Sequence, residues 1–430
     1  MAAVLRWSNR RAVWVVALAA AAPRLLALAL ERGTILVEYV EKSDRFARTL
    51  VESGTFGLLP GVPSAYTQPL YGWFLAALYW PFGHSWLAVG LAQVLVAVLT
   101  ALLVLAIGEH VGSTRIGVIA ALVATLHPYL VWHDVHVNRE ILDGFLLAAL
   151  TLLALLAHDR RSPALALAAG AVGGVAVLGN SRLVLLPLVV APFLVWHVRP
   201  RSRAVLVGAA SVAAAVLVLV PWVARNQVQL GCATITTDAR ALWKANNPAT
   251  YELLARGGWI DDVPELPGAP PWPELAADLT LGGKPTVVDE CAQMRFYQDE
   301  VLAFWREHPG EKARLAAQAA WMLWWPVISV SAEGSAAAGL ADLAQRTVEP
   351  AFVLLLYALA VWGAFLAPRR LVAWVGLLLA YNTAAAMVFV GTIRYRVPWD
   401  FLLALLAAYA LERAWERLRE RRAARASAAS

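Results

Sequence analysis

Charge is what this chain has least of. Only 15% of its 430 residues are Asp, Glu, Lys or Arg, against about a quarter in a soluble domain. That scarcity excludes a disordered chain. It also excludes an ordinary soluble fold, since one or two cores could not hide a sequence that is 60% hydrophobic. Cysteine is nearly absent, and the two present, Cys232 and Cys291, exclude a disulfide scaffold. No P-loop, dinucleotide fingerprint or short-period repeat is present, so neither ATP-driven transport nor a redox role is indicated. The formal net charge of +6 falls mostly in loops beside apolar stretches and points to no nucleic acid. What is abundant is apolar: mean hydropathy is +0.60, with nineteen Trp and eleven Tyr. This is the composition of an all-α polytopic membrane protein with many membrane–water boundaries, where amphipathic rings settle.

Ten stretches approach the roughly 20 apolar residues that cross a bilayer. They are 12–30, 86–108, 115–133, 139–158, 163–180, 182–198, 203–224, 347–367, 371–391 and 397–414. Arginines at the N-terminus, at 160–161, 199–203 and 369–370, and along the tail fall on one side of that layout, which the positive-inside bias makes the cytoplasm. Both termini are then inside a bacterial cytoplasmic membrane. The first span holds Pro23–Arg24 and no clear small-residue cleavage site, so it reads as a span and not a cleaved signal. Three parts follow: 1–225, carrying a first external loop at 31–85; 226–346, an external domain rich in Asn, Asp, Pro and Gly; and 347–430, ending in a basic tail. Residues 311–330 read as an amphipathic helix in the interface.

The chemistry-bearing residues cluster in the external parts. In 38–51, helical spacing puts Glu38, Glu41 and Asp44 on one face; the plain alternative is a solvated face with i,i+4 pairs Glu41–Arg45 and Asp44–Arg48. Residues 53–83 form a turn-rich loop and then an apolar helix opened by Pro69, too short to span. At the outer end of the third and fourth spans lie His127, Tyr129, His133, Asp134, His136, Asn138, Arg139, Glu140 and Asp143. The His/Asp group matches no specific zinc spacing, so no metal is assigned. Glu140 opens an apolar run, where a carboxylate is costly and faces a polar cavity. Arg182, Arg225, Arg394 and Arg396 lie on the outer side and escape the positive-inside bias. They are either snorkelling anchors or forks for phosphate oxygens. Cys232 and Cys291 both fall in 226–346; they are either a bridge across about 60 residues, adding roughly 3–4 kcal/mol, or two unrelated thiols.

An ordered set of motifs resembles a known family. FARTLVESGTFG at 46–57 is similar to its "LARNLLEGxGFG", and QPLYGWF at 68–74 to its "RPPLYPLF". Glu140 in VNREILDGFLL, the stretch from Asn180 to Pro187, PWVARNQ at 221–227 with KANNPA at 244–249, and RYRVP at 394–398 follow in the family's order. The chain resembles the GT-C-fold membrane glycosyltransferases, in the bacterial group related to the dolichyl-phosphate-mannose protein mannosyltransferases and the aminoarabinose and lipopolysaccharide-core transferases.

The resemblance implies transfer of a sugar from a polyprenyl-phosphate-linked donor to a lipid, glycan or protein acceptor, with inversion. The family's first-loop acid falls nearest Glu38, one position off register, with Asp44 and then Glu41 next as the general base. Arg394 and Arg396, then Arg182 and Arg225, would hold the departing phosphate. Glu140 would orient a catalytic group or an arginine. Tyr39, Gln68, Tyr71, His133, Asp134, Asn247 and Tyr395 would line the substrate cavity. No cofactor follows, and a divalent cation is left open. Two other classes compete: a lipid or sugar carrier, which the asymmetry of the chain disfavours, and a structural envelope protein, whose acids and arginines would pair off without converging.

Overall fold

The structure, a computed structural model, describes residues 10–37, 40–196, 198–278, 280–281, 284–327 and 344–429. The described residues are overwhelmingly helical, with one two-residue antiparallel ladder, Thr280–Leu281 against Lys284–Pro285. Six helices are long and apolar enough to cross a membrane: Arg10–Leu30, Trp86–Val111, Glu140–Arg160, Arg201–Leu230, Arg346–Ala364 and Arg369–Val388. They fall on six of the ten expected spans. The other four are helical but fall short of that measure. The span expected at 115–133 breaks after Thr125, because Pro128 holds His127 extended and starts a separate short helix, Pro128–His133. Those at 163–180 and 182–198 give Pro163–Gly179 and a 3-10 turn followed by Leu186–Val195. The last, at 397–414, opens with a 3-10 turn and continues as Asp400–Ala429, whose second half is charged.

The bundle packs through small residues. A Cβ at Gly170 would sit 2.0 Å from the Ser211 carbonyl oxygen, and one at Gly174 would sit 2.6 Å from that of Ala215. Only glycine lets Pro163–Gly179 approach Arg201–Leu230 this closely, the spacing by which membrane helices gain dispersion contacts. The outward faces keep Trp14, Leu18, Leu91, Leu95, Leu206 and Leu217 exposed, as a lipid-facing surface requires.

The loop at 31–85 differs in register from the sequence expectation. Its helix is Ser43–Ser53, so Glu41 precedes it and cannot reach Arg45 along a helical face. Asp44–Arg48 does form, at 3.0 Å, while Arg45 pairs with Asp278. Glu38 and Tyr39 lie outside the described residues. Pro69 opens the next helix, Pro69–Phe82. Between the two, Arg225 clamps the loop by donating to the carbonyls of Phe56 and Ser64, both at 2.9 Å, with its guanidinium over Trp222.

The segment after residue 230 folds back over that loop. Thr237 donates its backbone N–H to Ala65, and Glu290 accepts from the Ala65 N–H and the Thr237 hydroxyl. Helices Ala239–Lys244, Pro273–Asp278, Glu290–Glu307 and Pro309–Trp324 build it around Trp243, Val263, Tyr297 and Val301. Pro309–Trp324 covers the expected interfacial helix; residues 328–330 of that stretch lie outside the described residues. Cys232 and Cys291 are joined, 59 residues apart in sequence and 6.0 Å between Cα atoms. A closed loop of that length stabilises by about 3–4 kcal/mol. Replacing both cysteines by serine should lower the thermal unfolding midpoint of the detergent-solubilised protein, and reducing agent should lower the wild-type midpoint but not that of the variant.

Candidate active site

Where the folded-back segment meets the ends of the membrane-length helices there is a cavity of about 330 Å³. Five cations and four carboxylates line it: Lys42, Arg139, Arg182, Arg240 and Arg394, with Glu41, Asp238, Asp261 and Glu274. On the bundle side, Arg139 immediately precedes the helix Glu140–Arg160. Arg182 sits in the turn after Pro163–Gly179, where the Asn180 side chain accepts from its backbone N–H. Arg394 and Tyr395 lie on a single helical turn, Ile393–Arg396. Gln68, at the mouth of Pro69–Phe82, bridges Ser181 (2.9 Å) and Arg139 (2.5 Å).

Each arginine is held differently. Arg394 makes a two-pronged contact with Glu140, at 2.7 and 3.1 Å, and donates to Asn138 Oδ1 at 2.9 Å. Burial works against its charge, but Glu140 outweighs this and keeps it above the ordinary guanidinium value. Arg182 lies 4.0 Å over the Tyr395 ring and donates Nη1 to the Val390 carbonyl, leaving Nη2 buried and unpartnered. Arg139 reaches Glu41 Oε1 at 3.3 Å, and its Nε is likewise buried without a hydrogen bond. Arg139, Arg182 and Arg394 thereby bring three guanidinium groups, the natural partners of phosphate and carboxylate oxygens, to one cavity.

The opposite wall is mixed in sign. Lys42 pairs with Asp238 and lies over the Tyr66 ring. Burial opposes the Lys42 ammonium, yet Asp238 and Glu274 hold it above its usual value. Burial raises the Glu274 carboxyl. Arg240 grips Glu265 and stacks 3.8 Å from Trp272.

Of the residues singled out from sequence, this cavity brings together Glu41, Gln68, Arg182, Arg394 and Tyr395. Glu140 lies just behind, holding Arg394. Arg396 points the other way. It is fully buried, paired with Asp400 at 3.2 Å and donating to the carbonyls of Leu323 and Trp325, because residues two apart on one turn face opposite sides. Arg225 clamps the first loop. Asp44 accepts from Tyr79 (2.6 Å) and meets His84 (2.9 Å) away from the cavity. Tyr71 donates to Gln93, Asp134 pairs with Arg24 at 2.7 Å, and His133 meets Asn138. Asn247 ties its own turn to the carbonyls of Trp243 and Lys244. Arg139 stood among the sequence candidates without a role. Lys42, Asp238, Arg240, Asp261 and Glu274 were not singled out; the one available signal was Lys42, a cation beside Glu41. No group of three His, Cys, Asp or Glu side chains among the described residues could hold a metal ion.

Residues 63–224 match the family model for dolichyl-phosphate-mannose-protein mannosyltransferase. The chain superposes on the oligosaccharyltransferase AglB of Archaeoglobus fulgidus, crystallised with an inhibitory peptide and a dolichol-phosphate, with a TM-score of 0.54 and 16% identity. The match covers 97% of this chain and 51% of that one, so this chain spans about half the length of the archaeal protein. The apo form of the Archaeoglobus fulgidus oligosaccharyltransferase gives 0.52 and 15%, covering 98% and 53%. The fold is the GT-C fold. ArnT of Cupriavidus metallidurans bound to undecaprenyl phosphate is also similar, with a TM-score of 0.44 and 17% identity over 93% of this chain and 78% of that one. No curated protein sequence matches the chain significantly.

In this GT-C chain the cavity wall at Phe389 and Val390 hangs from the C-terminus of Arg369–Val388, which Lys312 caps. Its ammonium donates to the Met387 carbonyl and to Asn246 Oδ1, both at 2.7 Å. Burial pushes Lys312 down from 10.5 to about 8. Between those values the folded protein holds a neutral amine while the unfolded chain is still protonated, so stability rises with pH across that window. The gap in unfolding midpoint between wild type and Lys312→Met should therefore move in favour of wild type from about pH 7 to pH 10; thermal unfolding across that range checks it.

Proposed function

We propose that this chain is a membrane glycosyltransferase that moves a sugar from a polyprenyl-phosphate donor to a hydroxyl of an envelope acceptor, at the outer face of a bacterial cytoplasmic membrane. One observation carries the reading: the first-loop carboxylate Glu41 and the arginines Arg139, Arg182 and Arg394 line one cavity at the ends of the apolar helices. A carrier needs no such pairing of acid with guanidinium, and in a structural protein these groups would pair off without lining a common cavity. The dolichol-phosphate held by the archaeal protein of the same fold supports a lipid-phosphate ligand.

The chemistry follows from charge. A lipid-linked donor keeps its tail among the exposed apolar faces and its phosphate at the level of the arginines. Glu41 takes the proton of the acceptor hydroxyl. That oxygen attacks the anomeric carbon from the side opposite the phosphate, so the new bond has inverted configuration. The bond from the anomeric carbon to the phosphate oxygen breaks, and its electron pair leaves on the phosphate, where Arg139, Arg182 and Arg394 meet the added charge. Glu140 fixes Arg394. The layout that goes with this reading keeps both termini and the Arg-rich loops in the cytoplasm. Residues 226–346 then form the external domain between the membrane modules 1–225 and 347–430.

The test is turnover of a radiolabelled polyprenyl-phosphate sugar by purified protein. Glu41→Gln should lower the rate by at least about 100-fold, the ordinary worth of a general base, with the unfolding midpoint unchanged. Full activity in Glu41→Gln together with loss in Glu38→Gln would move the base to Glu38. No product with any donor or acceptor tried, in a protein that binds the lipid phosphate, would support a binding protein instead.

A further inference from the structure

Arg139 is shared between partners of opposite future. Its Nη1 reaches both Glu41 Oε1 (3.3 Å) and Gln68 Oε1 (2.5 Å), its Nε lies 3.9 Å from Glu140 Oε1 without a hydrogen bond, and its side chain is largely buried. Glu41 is caught from the other side as well, since Ser43 Oγ donates to its Oε2 at 3.3 Å. The acid that would take the acceptor's proton thus has one oxygen against a guanidinium. Its neighbour Lys42 is bound across the cavity to Asp238, so the segment at 41–42 is tied to both walls.

We propose that Arg139 is a donor-operated switch: the phosphate of the lipid-linked sugar takes the Arg139 fork, and Glu41, released from it, becomes free to accept the acceptor's proton. This rests on the glycosyltransferase reading above. A phosphate presents two oxygens that match a guanidinium edge and replaces a single carboxylate contact with a forked one. Without donor, the base stays engaged and no hydroxyl or water is activated. After transfer the phosphate has gained the electron pair of the broken bond, and Glu41 holds the proton. Once Glu41 gives that proton to water it competes again for Arg139 and favours release of the lipid phosphate.

The switch makes a prediction of unusual sign, read by titration calorimetry with farnesyl phosphate in detergent. Removing the competitor should help the ligand, so Glu41→Gln should bind at least about threefold tighter than wild type. The gain should vanish in an Arg139→Gln background, because the two substitutions act through one contact. Arg139→Lys, which keeps the charge without the fork, serves the same purpose if Arg139→Gln does not fold. Glu274→Gln removes a carboxylate from the same cavity that forms no ion pair with Arg139, and should change affinity by less than half as much. Unchanged or weaker binding by Glu41→Gln overturns the switch, as does an equal gain in Glu274→Gln or a gain that survives the loss of Arg139. Wild-type protein that binds no farnesyl phosphate overturns the function reading beneath it.

Discussion

The buried pair of Arg394 and Glu140 is the constraint on which the site depends. A carboxylate at the start of an apolar helix, only 3% exposed, is tolerable only with a partner of opposite sign and good geometry. Arg394 supplies both prongs through Nε and Nη2, and Nη2 also donates to Asn138 Oδ1. The same constraint fixes the turn on which Arg394 sits. With Arg394 drawn to Glu140, Arg396 is turned into the bundle, where Asp400 and two carbonyls receive it. Tyr395, between them, is left flat against Arg182. One ion pair thereby sets the position of two cavity cations and an aromatic wall.

Much of this could be read from residues in order. Hydrophobic runs located the helices, and the acids and arginines outside the positive-inside pattern marked the end of the bundle at which the cavity lies. What could not be read divides into two kinds. Local register depended on backbone detail: Glu41 falls two residues before the helix Ser43–Ser53, so helical spacing from 38 onward misjudged its neighbours. Long-range partners depended on tertiary approach. Lys42 and Asp238 are 196 residues apart, and Arg394 and Glu140 are 254 apart; no spacing rule reaches across such distances. The RYR triplet shows the limit in miniature. Both arginines invited the same role, but side chains two apart on one helical turn point in opposite directions, so only Arg394 reaches the cavity.

The folded-back segment contributes more than a cover. Its Asp238, Arg240, Asp261 and Glu274 form the wall opposite the arginines, so the cavity exists only when that segment is folded back. It is held there by the Glu290 contacts to Ala65 and Thr237, by the Cys232–Cys291 bridge, and by Lys312 at the end of Arg369–Val388. Two of these ties, at Glu290 and Cys291, come from neighbouring residues at the start of Glu290–Glu307, and the third from Pro309–Trp324. Each is polar or covalent, as suits a surface where little apolar area is available for burial.

The glycine pair at 170 and 174 reaches further than its helix. Arg182 emerges from the turn that ends Pro163–Gly179, and that helix is seated against Arg201–Leu230 by contacts in which two hydrogens take the place of side chains. The height at which the guanidinium stands is therefore set some twelve residues upstream, deep among the lipids. A methyl group added there would act as a shim, lifting one corner of the pocket while leaving every residue that lines it unaltered.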